Sequence, residues 1–272
     1  MSESCRVCLS PKLNNLFRAE LIKNNVCYFD CLECGYVQTE NPYWLEEAYN
    51  DPINFSDVGI MARNLGNLKV VLASLRLLKK LRGTMVDYSG GYGILVRLLR
   101  DVGIDAKWHD PYCSNIFAAG FDHKPGGAAD LVTCFEAFEH FADPVAELER
   151  ILTISPNVLI STELIAVPAP PPESWYYYGL DHGQHIGFFR TKTLEYLARK
   201  FNKKLISDGK SFHLLSDVKI DQTLWKTLMA VGRVNYKILA TGLRSRTIAD
   251  FNELKSKQLL ANLQPQRPMD RL

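Results

Sequence analysis

Short apolar runs alternate with amphipathic segments through the middle of this 272-residue chain. Asp143 as N-cap and Pro144 in the first turn mark the start of one amphipathic segment as a helix. Strands that alternate with helices predict a parallel sheet covered on both faces, with ligands bound at the carboxyl ends of the strands. The strands are predicted over 84–88, 105–109, 129–134, 156–161, 203–208 and 211–216, and the helices over 93–102, 143–153 and 191–201.

Further helical patterns flank this core. Asn41 and Pro42 predict the start of a short helix, and apolar spacing predicts a longer one over residues 58–81. Two more are predicted over 221–243 and 248–263, followed by a frayed tail. An apolar stripe on the first of these two favours core packing or a contact between two copies over a membrane surface. The stripe comprises Trp225, Leu228, Val231, Leu239 and Leu243.

A glycine-rich turn, Asp87 to Gly93, separates the first predicted core strand from its helix. Glycines let the backbone turn tightly and approach a ligand that a Cβ would exclude. Asp110 follows the next strand and is placed to hold ribose hydroxyls. A dinucleotide fingerprint needs GxGxxG, whereas Val96 stands at its third glycine. The pattern therefore indicates a nucleoside-binding α/β domain, with a glycine turn that binds no ligand as the alternative.

Two CxxC pairs lie near the N-terminus, with short strand-like segments between them around Asn24-Asn25. Four thiolates form a closed tetrahedral zinc site, so we expect a zinc ribbon whose metal is structural. A nucleic-acid-binding ribbon is the alternative, but acidic residues offset the basic ones and no basic face stands out. The expected zinc ligands are Cys5, Cys8, Cys31 and Cys34.

Composition narrows the class of protein. The net charge of +2 gives no strong attraction to nucleic acid, and no apolar run is long enough to span a membrane. The N-terminus lacks the features of a secretory signal, so seven cysteines favour a reducing compartment and metal binding over disulfides. We therefore expect a cytoplasmic protein without nucleic-acid or membrane partners.

Several motifs together resemble those of a known family. They are CxxC…CxxCG, the turn at Asp87–Gly93, Asp110-Pro111-Tyr112, the run from Ala129 through Glu139-His140 to Asp143-Pro144, and Gly183–Phe189 with its Gln-His pair. Over residues 1–215 the chain resembles zinc-containing class I S-adenosylmethionine (SAM) dependent methyltransferases that act on nucleotide-linked sugars. It departs from that pattern at Ser89, where glycine is usual, and at Gln184, where carbon-methylating members often have glutamate.

The resemblance implies an α/β fold: a Rossmann-like class I methyltransferase domain with a mostly parallel seven-stranded sheet and helices on both faces. A small N-terminal zinc ribbon and a helical C-terminal extension would flank it. The implied divisions are a zinc module at 1–40, a helical substrate-side segment at 41–82, a SAM-binding core at 83–216 and the extension at 217–272.

The resemblance also implies site residues. Asp110 would bind the ribose, Pro111 would lie beside the adenine, and Glu136 would lie near the methionine part or the sulfur. The implied SAM-binding set is Asp87, Ser89, Gly90, Gly91, Gly93, Asp110, Pro111 and Glu136. The family places a base at His185, with His182 and His140 as further catalytic candidates, although each could instead be a packing residue.

The predicted function is SAM-dependent methyl transfer to a carbon or hydroxyl oxygen of a small molecule, with a nucleotide-linked sugar as acceptor. A lipid, peptide or polyketide acceptor is an alternative, as is a non-catalytic scaffold that keeps the fold. Residues 167–178, rich in proline and then in aromatics, predict either a loop over the pocket or a rigid strut. A homodimer through the C-terminal helices is also possible.

Overall fold

The computed structural model describes residues 4–49 and 57–263, which form ten strands and seven α-helices. The strands are β1 (Leu13–Leu21), β2 (Asn24–Cys31), β3 (Val37–Thr39), β4 (Thr84–Tyr88), β5 (Asp105–His109), β6 (Leu131–Phe135), β7 (Val158–Ser161), β8 (Gly187–Phe188), β9 (Lys204–Ser207) and β10 (Phe212–Ser216). The helices are α1 (Leu45–Ala48), α2 (Ile60–Leu77), α3 (Ile94–Val102), α4 (Pro144–Ile154), α5 (Thr191–Lys200), α6 (Gln222–Leu239) and α7 (Thr247–Leu263).

The central sheet has the order β5-β4-β6-β7-β10-β9. Strands β4 to β7 pair in parallel, whereas β10 is antiparallel to both β7 and β9, so the sheet is mixed. All six strands predicted from the apolar runs are confirmed. The apolar side chains of β4, β6 and β7 are buried on both faces, which is typical of a parallel sheet between helices.

Six strands form the described sheet, not the seven that the resemblance implied. Beyond β5, the chain makes a single parallel bridge between Trp108 and Asp122. The amide of Trp108 donates to the Phe121 carbonyl at 2.9 Å, and the amide of His123 donates to the Trp108 carbonyl at 2.7 Å. The next residues include Pro125, which has no amide proton, and two glycines, so the pairing does not extend into a strand.

The helix predictions hold with shifted ends. Helix α4 begins as predicted, because the Asp143 side chain accepts a hydrogen bond from the Ala146 amide at 2.9 Å. Helix α1 begins at Leu45, with Trp44 as its N-cap, so the expected start at Asn41-Pro42 is wrong. Helix α2 ends at Leu77, short of residue 81, because Lys79 adopts a left-handed backbone conformation. The predicted tail after residue 263 lies outside the described residues.

The C-terminal helices pack on the core. The indole of Trp225 is fully buried and donates to the Ser74 hydroxyl on α2 at 3.1 Å. All five residues of the apolar stripe join the core cluster that includes α2. The stripe therefore belongs to the interior, and a dimer contact through it is not supported. Asp250 on α7 accepts from the buried Arg100 guanidinium through both carboxylate oxygens, at 2.7 and 2.8 Å.

The N-terminal module forms a second sheet, of order β1-β2-β3-β8. The predicted hairpin is confirmed, with Leu21 opposite Asn24 at its turn. Strand β8 lies between β7 and α5 in the chain, and pairs with β3 through Val37 opposite Phe188. The sheet of residues 1–40 is therefore completed by residues 187–188. No helix among the described residues is long and apolar enough to cross a membrane.

Candidate active site

The glycine turn lies at the carboxyl end of β4 and is shaped by left-handed backbone. The φ angles are +61° at Ser89, +53° at Gly91 and +83° at Gly93. A Cβ on Gly90 would lie 2.9 Å from the Trp108 ring, and one on Gly93 would lie 2.6 Å from the Asn115 side chain. Glycine is therefore required at 90 and 93 for space, whereas Ser89 adopts a conformation that glycine normally supplies.

Asp110 follows β5 and holds the turn from the neighbouring strand. Its Oδ2 accepts from the Gly91 amide at 2.9 Å, and its Oδ1 accepts from the amides of Tyr112 and Cys113 at 2.8 and 3.0 Å. The Trp108 indole adds a bond to the Gly91 carbonyl at 2.8 Å. Asp110 therefore organises the loop on which a ribose would lie.

A cavity of about 700 Å³, here named the loop cavity, opens beside Asp110. The rings of Tyr49 and Tyr112 stack across it, with centroids 5.7 Å apart at 26°. Sequence reasoning did not place Tyr49 at this site. Its lining includes Tyr49, Ser89, Gly91, Asp110, Tyr112, Glu136, His140 and Phe141. Pro111 and Gly93, expected to touch SAM, are not among the residues that line it.

A second cavity of about 450 Å³, here named the histidine cavity, lies on the other side of the turn. Helix α2, the turn and the segment after residue 175 form its walls. Its lining includes Arg63, Asn64, Asn67, Asp87, Ser89, Gly90, Gly91, Glu136, His140, Tyr176, Tyr177, His182, Gln184 and His185. The two cavities share Ser89, Gly91, Glu136 and His140, so groups bound in them would meet at this wall.

Asp87 and Glu136 stand at the ends of adjacent strands. Asp87 is buried and accepts from the Thr133 hydroxyl at 2.6 Å. Burial raises the pKa of Asp87 to about 7, and the Asp110 charge adds to this shift. Glu136 has a φ of +48° and its carboxylate accepts from the Ser161 hydroxyl at 2.5 Å. Part of the Glu136 side chain is exposed. Desolvation by the cavity walls nevertheless raises the pKa of Glu136, and the charge of Glu139 adds to this shift.

The three histidines proposed from sequence converge in the histidine cavity. The ring centroids of His140 and His182 lie 4.7 and 4.8 Å from that of His185. His185 Nδ1 lies 2.6 Å from the Tyr177 carbonyl, so Nδ1 carries the proton and Nε2 is left as an acceptor. Burial lowers the pKa of His182 and of His185 to about 4, so both rings are neutral at pH 7.

Glu139 lies beside the histidines and was not among the residues expected at the site. It is fully buried behind the histidines, and its Oε1 accepts from the Tyr177 hydroxyl at 2.6 Å. His140 Nδ1 lies 3.0 Å from the Tyr49 hydroxyl. The signal was present as the Glu-His pair at 139–140, which the resemblance used only to locate a strand. His213 lies outside this group and is buried in β10 between Ser207 and the Thr162 carbonyl.

Two further expectations concern the segment from 167 to 185. Tyr177 and Tyr178 are buried, while Tyr176 is exposed at the rim of the histidine cavity, so this loop both packs on the domain and lines the pocket. The Gln184 side-chain amide donates to the Ala48 carbonyl at 2.8 Å. Gln184 thereby ties the end of α1 to the histidine segment.

The four cysteines of the CxxC pairs form one cluster. Their sulfur atoms all lie within 4.8 Å of one another, with Cys5 and Cys34 at 3.5 Å and Cys8 and Cys31 at 3.4 Å. Zn–S bonds of about 2.3 Å in a tetrahedron place sulfurs about 3.8 Å apart. The donor set and its spacing therefore fit a tetrahedral ion, and none of the four cysteines lines the histidine cavity.

Comparisons with known proteins give one family match. A family model described as "Methyltransferase domain" matches residues 63–208, more than half of the chain. No curated protein sequence matches.

Among solved structures, TnmH is 20% identical with a TM-score of 0.44, over 65% of this chain and 62% of that one. The magnesium protoporphyrin IX methyltransferase ChlM from Synechocystis PCC 6803, with bound SAH, is 15% identical with a TM-score of 0.42, over 63% and 90% of the chains. Human N-acetylserotonin methyltransferase, in complex with SAM, is 16% identical with a TM-score of 0.41, over 65% and 66%. This chain thus spans less than two thirds of the length of TnmH.

The family match covers the glycine turn, Asp110, Glu136 and the histidine segment, which are the residues that shape the two joined cavities. The chain belongs to the family of proteins with a methyltransferase domain.

Proposed function

We propose that this protein is a SAM-dependent methyltransferase. It methylates a hydroxyl oxygen of a small polar molecule, with a nucleotide-linked sugar as the acceptor. The observation that carries the proposal is the shared wall of the two cavities. The loop cavity, with Asp110 and the Tyr49–Tyr112 stack, suits an adenosine, and the histidine cavity suits the acceptor. A methyl donor and its acceptor must meet in line, and the wall at Glu136 and His140 is where the two cavities meet.

SAM supplies a methyl group already activated on a sulfonium, so the residues have mainly to bind, align and handle a proton. The Asp110 carboxylate accepts three backbone amides and would still offer a lone pair to a ribose hydroxyl. The left-handed turn at Ser89 and Gly91 brings backbone close to the ligand, with no side chain larger than a hydroxymethyl group in the way. Asp87 and Glu136 would face the positively charged part of the cofactor.

Polar and basic side chains of one helix line the acceptor side of the site. Arg63, Asn64 and Asn67 on α2 line it, and Arg63 pairs with the Asp57 carboxylate. Amide and guanidinium groups match sugar hydroxyls and phosphate oxygens, which supports a nucleotide-linked sugar. His185 Nε2 would take the hydroxyl proton, because its Nδ1 is committed to the Tyr177 carbonyl. Carbon methylation needs a stronger base, and Gln184 cannot act as one.

We also propose that the cysteine cluster holds one structural zinc ion. The fit of the four sulfur atoms to a tetrahedron supports this, and a closed set of four thiolates has no open position for a substrate. A module of about forty residues has too small a core to be stable without such a crosslink.

The test begins with calorimetric titration of SAM and of its demethylated product. Acceptors are then screened: nucleotide sugars, simple sugars, flat aromatic metabolites, and lipid or polyketide hydroxyls. We expect micromolar SAM binding and turnover with nucleotide sugars. Turnover only with another class would replace the sugar, a methylated carbon would replace the oxygen, and SAM binding without transfer to any acceptor would favour a scaffold.

The role of His185 is tested with His185→Ala, and with His123→Ala as the matched control outside both cavities. We expect His185→Ala to lower kcat at least about 100-fold with SAM affinity near normal, since a positioned base contributes about 10² to 10⁴. The control should keep its kcat. Full turnover of His185→Ala would remove this residue from the mechanism.

A further inference from the structure

One carboxylate and two imidazoles come together at the back of the histidine cavity. A ligand-type atom from each of Glu139, His140 and His185 lies within 4.8 Å of those from the other two. Glu139 has no exposed surface, and its Oε2 has no hydrogen-bond partner among the described residues. Glu139 Oε1 lies 4.0 Å from His140 Nε2. Buried polar atoms nearly always have a partner, so a carboxylate with one unpaired oxygen beside two imidazoles suggests a bound group.

The outward hydrogen bonds of all three side chains are already made. His185 Nδ1 donates to the Tyr177 carbonyl at 2.6 Å, and His140 Nδ1 lies 3.0 Å from the Tyr49 hydroxyl. Glu139 Oε1 accepts from the Tyr177 hydroxyl at 2.6 Å. Both Nε2 atoms, and the carboxylate lone pairs that Tyr177 does not use, therefore remain available to one bound ion. Metal-binding histidines and carboxylates are oriented by bonds of this kind.

We propose that Glu139, His140 and His185 bind one divalent first-row transition-metal ion, such as Mn²⁺ or Fe²⁺. Two imidazoles and one carboxylate are a ligand set that leaves coordination positions open, unlike the closed cysteine cluster. Side-chain movements of about 1 Å would bring the three atoms to the usual bond lengths of about 2.0–2.2 Å. Carboxylate and imidazole ligands suit manganese better than thiolates do, so Mn²⁺ is a probe of this site and not of the cysteine cluster.

The ion would act on the acceptor, and this role rests on the proposed function. An acceptor hydroxyl bound at an open position becomes more acidic, and its proton passes to the Glu136 carboxylate. The oxygen then bonds to the methyl carbon as the carbon–sulfur bond breaks, which leaves a methyl ether and the neutral thioether product. In this state His185 is a ligand, and the ion replaces it as the group that activates the hydroxyl.

The test is titration of the zinc-containing protein with Mn²⁺. Binding is measured as the loss of the electron paramagnetic resonance signal of free Mn²⁺. Neither SAM nor an acceptor is present. We expect one Mn²⁺ per chain, binding at least about 100-fold weaker in Glu139→Gln and about 10-fold weaker in Tyr177→Phe. The second substitution removes the hydroxyl that donates to Glu139 and that also lies 3.4 Å from the Thr162 hydroxyl. His123→Ala should bind as the unchanged protein does. Thermal melting confirms that each variant is folded.

Absence of Mn²⁺ binding by the unchanged protein, or equal affinity in a folded Glu139→Gln, would overturn the metal site. Methyl transfer could still proceed in that case with His185 as the base, so the proposed function is judged separately. Mn²⁺ binding with the expected ranking would support the site even if the acceptor panel gave no product. Stimulation of turnover by Mn²⁺ in the unchanged protein, but not in Glu139→Gln, would link the two.

Discussion

Arg190 and Asp30 join the cysteine module to the histidine segment through a bidentate ion pair. The guanidinium nitrogens donate to the two carboxylate oxygens at 2.7 and 3.0 Å, and Arg190 also donates to the Gly35 carbonyl beside the cysteines. The pair is mostly buried, with side-chain exposures of 10% and 19%. Arg190 closely follows β8 and precedes α5, so the module is attached to the chain that carries His185.

The first prediction concerns this pair. Arg190→Met leaves a mostly buried carboxylate without its partner, so we expect a loss of about 2–4 kcal/mol of unfolding free energy in urea. Lys12→Met breaks an ion pair in the same module whose side chains are 67% and 50% exposed, and it should change the unfolding free energy much less. Equal losses in the two variants would show that burial of the Arg190 pair contributes nothing.

Removal of zinc from the cysteine cluster should affect the segment that carries the histidines more than strands β4 and β6. Strand β3 follows the second CxxC pair and supports β8, so loss of a zinc ion from the cysteine cluster should loosen both. We expect faster amide exchange after chelation at residues 26–39 and 183–189, with little change in β4 and β6. Metal analysis before chelation should give about one zinc per chain. Unchanged exchange in these segments would argue against zinc as the crosslink.

Ser89→Gly should stabilise the protein. The left-handed conformation costs a non-glycine residue about 1–2 kcal/mol, and added freedom in the unfolded chain offsets about 0.4–1 of this. We expect a net gain of about 0.5–1 kcal/mol in denaturant unfolding. Ser89→Ala is the matched control, because it removes the hydroxyl and keeps the strain. A gain in Ser89→Ala instead would place the cost in the hydroxyl.

The stability difference between Asp87→Asn and the unchanged protein should increase with pH. The folded pKa of Asp87, at about 7, lies above its ordinary value of 3.8. As pH rises from about 4 to about 7, the unfolded side chain ionises while the folded one keeps its proton, so the unfolding free energy falls.

Relative to the unchanged protein, Asp87→Asn should therefore be neutral at pH 4 and more stable above pH 7. The gain has an upper limit of about 4 kcal/mol, since each pKa unit is worth about 1.4 kcal/mol. Denaturant unfolding of both proteins between pH 4 and pH 8 measures it. A stability difference that stays constant over this range would contradict a raised pKa, because only ionisation of Asp87 makes the difference grow with pH.

The sequence by itself determined the six core strands, the glycine turn and the two CxxC pairs. These depend on local properties: apolar runs that suit a buried parallel sheet, glycines that permit positive φ, and cysteines spaced to turn two thiols to one point. The placement of Asp87, Asp110 and Glu136 at strand ends followed as well, because parallel strands present their carboxyl ends at one edge.

Only the tertiary structure decided what lies opposite those residues. Tyr49 contacts Tyr112 and His140 from the end of a helix that is distant in the chain. The position of Glu139 beside the histidines becomes evident only from its contact with Tyr177. The missing edge strand and the pairing of β3 with β8 likewise depend on contacts between distant segments. Periodicity reports which face of an element is buried, but it carries no information on which distant side chain covers that face.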